Sequence, residues 1–165
     1  MIFSLFETRK DYNYKVQLKN YNKVVIGSGT DLERAFQIGN FMNMLYSNIE
    51  NKQKSMSPKV VKHNLINELE SLIRYHIKDI DDYCEEDWYD EQKEEIINGI
   101  EMLFDILKSR KEFEVEYQKE KDKGIKKLVE IEDHISFLTN SLYNIYDGIV
   151  INIVFTFPEY FEYIE

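Results

Sequence analysis

Ile149-Val150-Ile151-Asn152-Ile153-Val154-Phe155-Thr156-Phe157 is a nearly unbroken apolar run, stopped by Pro158 and preceded by Asp147-Gly148. Apart from Asn152 its residues are β-branched or aromatic, the types that fit a pleated surface. Pro removes a backbone donor and ends the run. A segment apolar on both faces belongs in the middle of a sheet or beneath helices. The stretch therefore predicts a C-terminal strand. On that reading Gly148 is the residue just past the end of a preceding helix.

Upstream, Ile125, Leu128, Val129, Ile135, Leu138, Leu142, Ile145 and Tyr146 recur at helical spacing and predict a long helix over 122–146. Phe113-Glu114-Val115-Glu116-Tyr117 alternates and reads either as an edge strand or as a helix fraying into a linker. Ile96, Ile97, Ile100, Leu103, Phe104 and Leu107 predict another helix. Ser57-Pro58 is a helix start, with Ser as cap and Pro at the first helical position. Val61, Leu65, Leu69, Leu72, Ile73, His76, Ile77 and Ile80 follow it on one face. Thr30-Asp31-Leu32-Glu33 has the form of a capping box and opens a helix carrying Ala35, Phe36, Met42, Leu45 and Ile49. At the N-terminus, Tyr14, Val16 and Leu18 alternate with polar residues, and Lys23-Val24-Val25-Ile26 follows an Asn-rich turn, which predicts a β-hairpin. The expected class is α+β: about four helices packed on a small sheet built from an N-terminal hairpin and a C-terminal strand.

The chain has 165 residues, which suits one domain spanning 1–165. With 43% hydrophobic and 14% aromatic residues it has material for a core, so disorder is excluded. Cys84 is its single cysteine, so an internal disulfide is excluded. The N-terminal residues lack the basic and apolar regions of a signal peptide. With the lone thiol, that suggests a reducing, cytoplasmic setting.

Net charge is −10, and it is unevenly placed. Residues 79–95 hold 10 carboxylates against one cation, Lys93. Residues 128–165 hold 7 acidic side chains and no Lys or Arg. Residues 1–78 carry 12 basic against 7 acidic side chains, and residues 108–127 carry 8 against 5. A nucleic-acid binder needs a basic footprint, so direct nucleic-acid binding is disfavoured.

Specific chemistry is sparse. Gly27-Ser28-Gly29 before a helix start suggests an anion nest. It has neither the three-glycine dinucleotide pattern nor the Gly-Lys-Ser/Thr of a phosphate loop, and Asp31 and Glu33 oppose an anion. Residues 25–31 resemble the strand-turn-helix of proteasome-like N-terminal-nucleophile hydrolases. The chain offers no candidate N-terminal Thr, Ser or Cys, so no nucleophile carries over. The calcium-loop pattern starting at Asp79 fails at Tyr83 and Cys84. His63, His76 and His134 are too scattered for zinc. Cys84 sits beside Glu85, and a neighbouring carboxylate suppresses thiolate formation. No cofactor, no metal site and no enzymatic activity are expected.

What stands out is a segment in which carboxylates alternate with aromatics: Asp79, Asp81, Asp82, Tyr83, Glu85, Glu86, Asp87, Trp88, Tyr89 and Asp90. It reads either as a solvated helix start or as an interface. Trp and Tyr are frequent interface anchors, and surrounding carboxylates steer and select a basic partner. The acidic aromatic tail, Glu159 to Glu165, repeats that chemistry. The expectation is a small acidic binding protein that inhibits or masks a basic partner, above all a nucleic-acid-handling enzyme such as a nuclease. Immunity proteins and phage anti-defence inhibitors are of this kind. The alternative is a scaffold or oligomeric component held by helix faces. No membrane contact is expected.

Overall fold

A computed structural model describes residues 5–7, 15–18, 29–50, 57–78 and 86–164. Strands β1 (Leu5–Glu7) and β2 (Lys15–Leu18) come first. Four helices follow: α1 (Gly29–Ile49), α2 (Pro58–Lys78), α3 (Glu86–Glu120) and α4 (Ile125–Thr156). A 3₁₀ turn at Pro158–Tyr160 leads into β3 (Phe161–Ile164).

The helices form a ring in which α1 meets α2, α2 meets α3, α3 meets α4 and α4 returns to α1. Their directions alternate. Arg110 of α3 reaches the last carbonyl of α1, at Ile49, while Arg34 near the start of α1 lies over the Tyr75 ring near the end of α2. His76 of α2 touches both Tyr89, near the start of α3, and Phe157, just past the end of α4. This is an up-down-up-down helical bundle.

Each helix turns one apolar stripe inward. Ala35, Ile38, Met42 and Leu45 are buried on α1, and Val61, Leu65, Leu69 and Leu72 on α2. Ile96, Ile100 and Leu103 from α3 and Leu142, Ile149, Val150 and Ile153 from α4 complete the core. The i, i+3, i+4, i+7 spacing places these residues on single faces.

The α+β expectation is overturned. Residues 149–157 contain no strand; Ile149 to Thr156 is the last quarter of α4. With no helix stop before Pro158, the apolar period of α4 runs on through Leu142, Tyr146, Ile149, Val150 and Ile153. Burying that face outweighs a β preference that spans only about 1 kcal/mol per residue. Thr156 is accommodated by donating its hydroxyl to the Asn152 carbonyl at 2.7 Å, the usual way a helical Thr satisfies itself. Residues 113–117 are also helical, inside α3. The helices pack on one another, not on a sheet.

The only pairing among the described residues is an antiparallel ribbon in the order β1-β2-β3, with strands of 3 or 4 residues. Leu18 on β2 faces Phe161 on β3, and both are buried against the bundle. The expected hairpin partner of β2, residues 23–26, lies outside the described residues, as does the glycine turn at 27–28. Within the acidic tail, Tyr160 and Phe161 belong to the core, while Glu159 and Glu162 are exposed.

Gly148 is correspondingly inside α4 rather than past a helix end. A Cβ there would meet nothing within 4 Å, and its φ is not positive. Gly148→Ala is therefore expected to raise stability by about 0.5–1 kcal/mol through helix propensity. Chemical denaturation would read it, and destabilisation would contradict a helical residue 148.

Length separates the helices. At about 1.5 Å per residue, the 21 residues of α1 and α2 span roughly 32 Å, while the 35 residues of α3 span roughly 52 Å. The α3–α4 hairpin therefore projects beyond the bundle. Its base is marked by Arg110 and by the Tyr143 hydroxyl, which donates to the Glu50 carboxylate. In the projection, Phe113 stacks on His134 at 5.0 Å between ring centres, Ile131 is buried, and Tyr117 donates to Glu132 at 3.0 Å. That hydrogen bond to a carboxylate raises the Tyr117 pKa, assisted by the carboxylate's charge. Gly124, at φ 150°, makes the turn between the helices with backbone that L side chains rarely adopt.

Candidate functional site

Sequence reasoning nominated residues 79–90. Asp79, Asp81, Asp82, Tyr83 and Glu85 lie outside the described residues. Glu86 opens α3. Asp87 and Asp90 are exposed. The two aromatics part company: Trp88 is 36% exposed, whereas Tyr89 is 4% exposed and belongs to the core. They touch edge to face at 4.8 Å, so the buried ring braces the exposed one.

Tyr89 packs on His76 at 5.4 Å, and Phe157 and Tyr160 enclose the same imidazole at 5.0 and 5.9 Å. His76 is 2% exposed, and its Nε2 lies 2.9 Å from Glu159 Oε1 at the mouth of this aromatic box. The contact is off the line a hydrogen bond needs, and Nδ1 has no hydrogen-bond partner. Three distant segments therefore meet here: the end of α2, the start of α3 and the chain beyond α4. The start of α3, with Trp88 and Tyr89, and the turn carrying Glu159 and Tyr160 share one end of the bundle, joined through His76. Glu159, Glu162, Asp87 and Asp90 are exposed near that joint.

From there the carboxylates continue along α3. Asp87, Asp90, Glu91, Glu94, Glu101 and Asp105 are all exposed. Their spacing confines them to an arc of about 100° on a helix of 3.6 residues per turn. The opposite face carries Tyr89, Ile96, Ile100 and Leu103, which are buried. Two exposed apolar side chains flank the stripe, Trp88 and Met102, the latter 55% exposed. Within the stripe one weak ion pair is found, Lys93 to Asp90 at 3.9 Å. Glu101, Met102 and Asp105 were not among the nominated residues. The signal was their i+7, i+11 and i+14 relation to Asp87, Glu91 and Glu94, legible only once 86–107 is known to be one helix.

Other polar groups inside the bundle serve the fold. Arg110, almost wholly buried, donates from Nη2 to the Ile49 carbonyl at 2.8 Å, with Glu114 at 3.7 Å from its Nε. The last turn of α1 has no basic residue of its own, so α3 supplies the cation that a helix C-terminus favours. Tyr146 sits between Tyr46 and the buried Asp147. Burial, aided by the Asp147 charge, pushes its hydroxyl pKa well up and keeps it protonated.

Among the described residues no group of three or more His, Cys, Asp or Glu side chains converges as a metal site. His63 and His134 are exposed and apart from His76. No described helix is long and apolar enough to cross a membrane. Comparison with protein-family models, with curated proteins and with solved structures finds no match.

Proposed function

We propose that this chain is a binding protein that captures and masks a basic protein partner through the exposed face of α3. The observation that supports the reading is the set of seven exposed carboxylates on α3 from Asp87 to Asp105, six of them in one stripe and Glu95 at its edge. Like charges at i, i+3 and i+4 repel by about 0.2–0.5 kcal/mol per pair. A cationic surface laid along the helix would relieve that repulsion and be steered to it at a high association rate. Trp88 and Met102 beside the stripe supply the apolar contacts that charge alone does not. A nucleic-acid-handling enzyme is the partner class in view, because it must expose basic side chains to phosphate.

Affinity capture from native cell lysate at moderate salt tests this, using the wild-type chain and an Asp87→Lys/Asp90→Lys/Glu91→Lys/Glu94→Lys variant. The wild type should retain a basic protein that the variant loses. Association of the purified partner should slow by about tenfold or more from low to physiological salt. Equal capture by both chains would remove the acidic face from the interface.

A further inference from the structure

The wall between α2 and α3 carries the opposite charge. A cavity of about 520 Å³ opens between the start of α2 and the middle of α3. Its lining includes Lys59 and Lys62 from α2, Lys108 and Lys111 from α3, and the apolar side chains of Phe104 and Leu107. Asp105 is the one carboxylate in the lining, against four lysines. None of these lysines is in an ion pair with a described residue.

This arrangement runs against two local rules. The first turn of α2 has no acidic residue, and the lysines sit instead at the positive end of its dipole. Lys108 and Lys111 are also neighbours at i, i+3, where like charges repel. In a chain of net charge −10 with 31 acidic residues, carboxylates to neutralise them are not scarce. Places where a sequence breaks its own electrostatic preferences are where function is expected. The backbone at the start of α2 contributes little. Ser57 Oγ accepts the Val60 N–H, the Ser57 carbonyl accepts the Val61 N–H, and Pro58 has none. The lysines and the apolar floor are what define the ligand.

We propose that this cavity binds a small amphipathic anion: a phosphate monoester carrying an apolar body, the head held by Lys59, Lys62, Lys108 and Lys111 and the body laid on Phe104 and Leu107. The volume lies in the usual range for small-molecule sites, about 300–1,000 Å³. Charge-assisted hydrogen bonds from ammonium to phosphate would supply orientation.

Titration calorimetry on the full chain tests the site with octyl phosphate kept below its micelle concentration, AMP and inorganic phosphate. Octyl phosphate or AMP should bind saturably at one site, and whichever is tighter identifies an alkyl-type or a nucleoside-type body. Inorganic phosphate should bind at least about tenfold more weakly, having no apolar part. Lys62→Glu/Lys108→Glu should weaken the organic phosphate by about tenfold or more, while Lys121→Glu/Lys126→Glu, an equal charge change at the exposed hairpin turn, should leave it unchanged. If the first variant loses its helical circular dichroism, Lys62→Gln/Lys108→Gln takes its place. No saturable binding, inorganic phosphate binding as tightly as the organic esters, or equal loss in the hairpin-turn variant would each overturn the proposal.

Discussion

Phe157→Ala is expected to lower the unfolding free energy by about 3–5 kcal/mol. The side chain is wholly buried. It lies where α4 hands over to the 3₁₀ turn, with its ring edge-to-face against His76 and Tyr160. Its N–H also bonds the Ile153 carbonyl at 2.9 Å, closing the last turn of α4. Truncation would remove one wall of the aromatic box around His76 that joins α2, α3 and the C-terminal chain. For a domain whose total stability is about 5–15 kcal/mol, that is a large fraction. Urea unfolding followed by circular dichroism measures it. A loss below about 1 kcal/mol would mean that residue 157 is not in the core. Because Tyr89 braces Trp88 within the same cluster, weaker partner capture by a still-folded Phe157→Ala would tie the box to the α3 face.

Gly99→Val is expected to destabilise by about 1–3 kcal/mol, because Ile149 of α4 lies hard against α3 there. A Cβ at residue 99 would lie 2.8 Å from Ile149 Cγ1 and 3.2 Å from Cδ1. Ile149 is itself fully packed and β-branched, so its χ1 has little room to yield. Shortening the opposing side chain should relieve the clash. The double variant Gly99→Val/Ile149→Ala is expected to be more stable than the sum of its single effects by about 0.5–3 kcal/mol. Additive losses in the thermodynamic cycle would show that residues 99 and 149 are not in contact. The two glycines make a controlled pair: Gly148 faces open space and gains from a methyl, whereas Gly99 faces Ile149 and does not.

Much of the helical architecture was legible because it rests on local periodicity. The apolar faces of α1, α2 and the middle of α3 follow from residues three and four apart, and Ser57-Pro58 marks the start of α2. The acidic character of the α3 face was legible as charge. Its geometry was not, since residues 79–95 show no apolar period to announce a helix. Trp88 and Tyr89 are adjacent in sequence and alike in chemistry, yet a rotation of about 100° per residue sends one toward solvent and the other into the core.

Composition and local pattern alone settled that this chain can build a core, that its negative charge is gathered in blocks, and where most helices run. Tertiary packing decided the rest. Ile149 to Phe157 has every local mark of a strand, but local preference spans only about 1 kcal/mol per residue, and burying one helical face against α3 and α1 outweighs it. The pairing of Arg110 with the end of α1 spans 61 positions. The gathering of His76, Tyr89 and Phe157 and the lining of one cavity by lysines of α2 and α3 likewise join segments far apart in the chain. Such contacts depend on how helices dock, and no window of the sequence contains both partners.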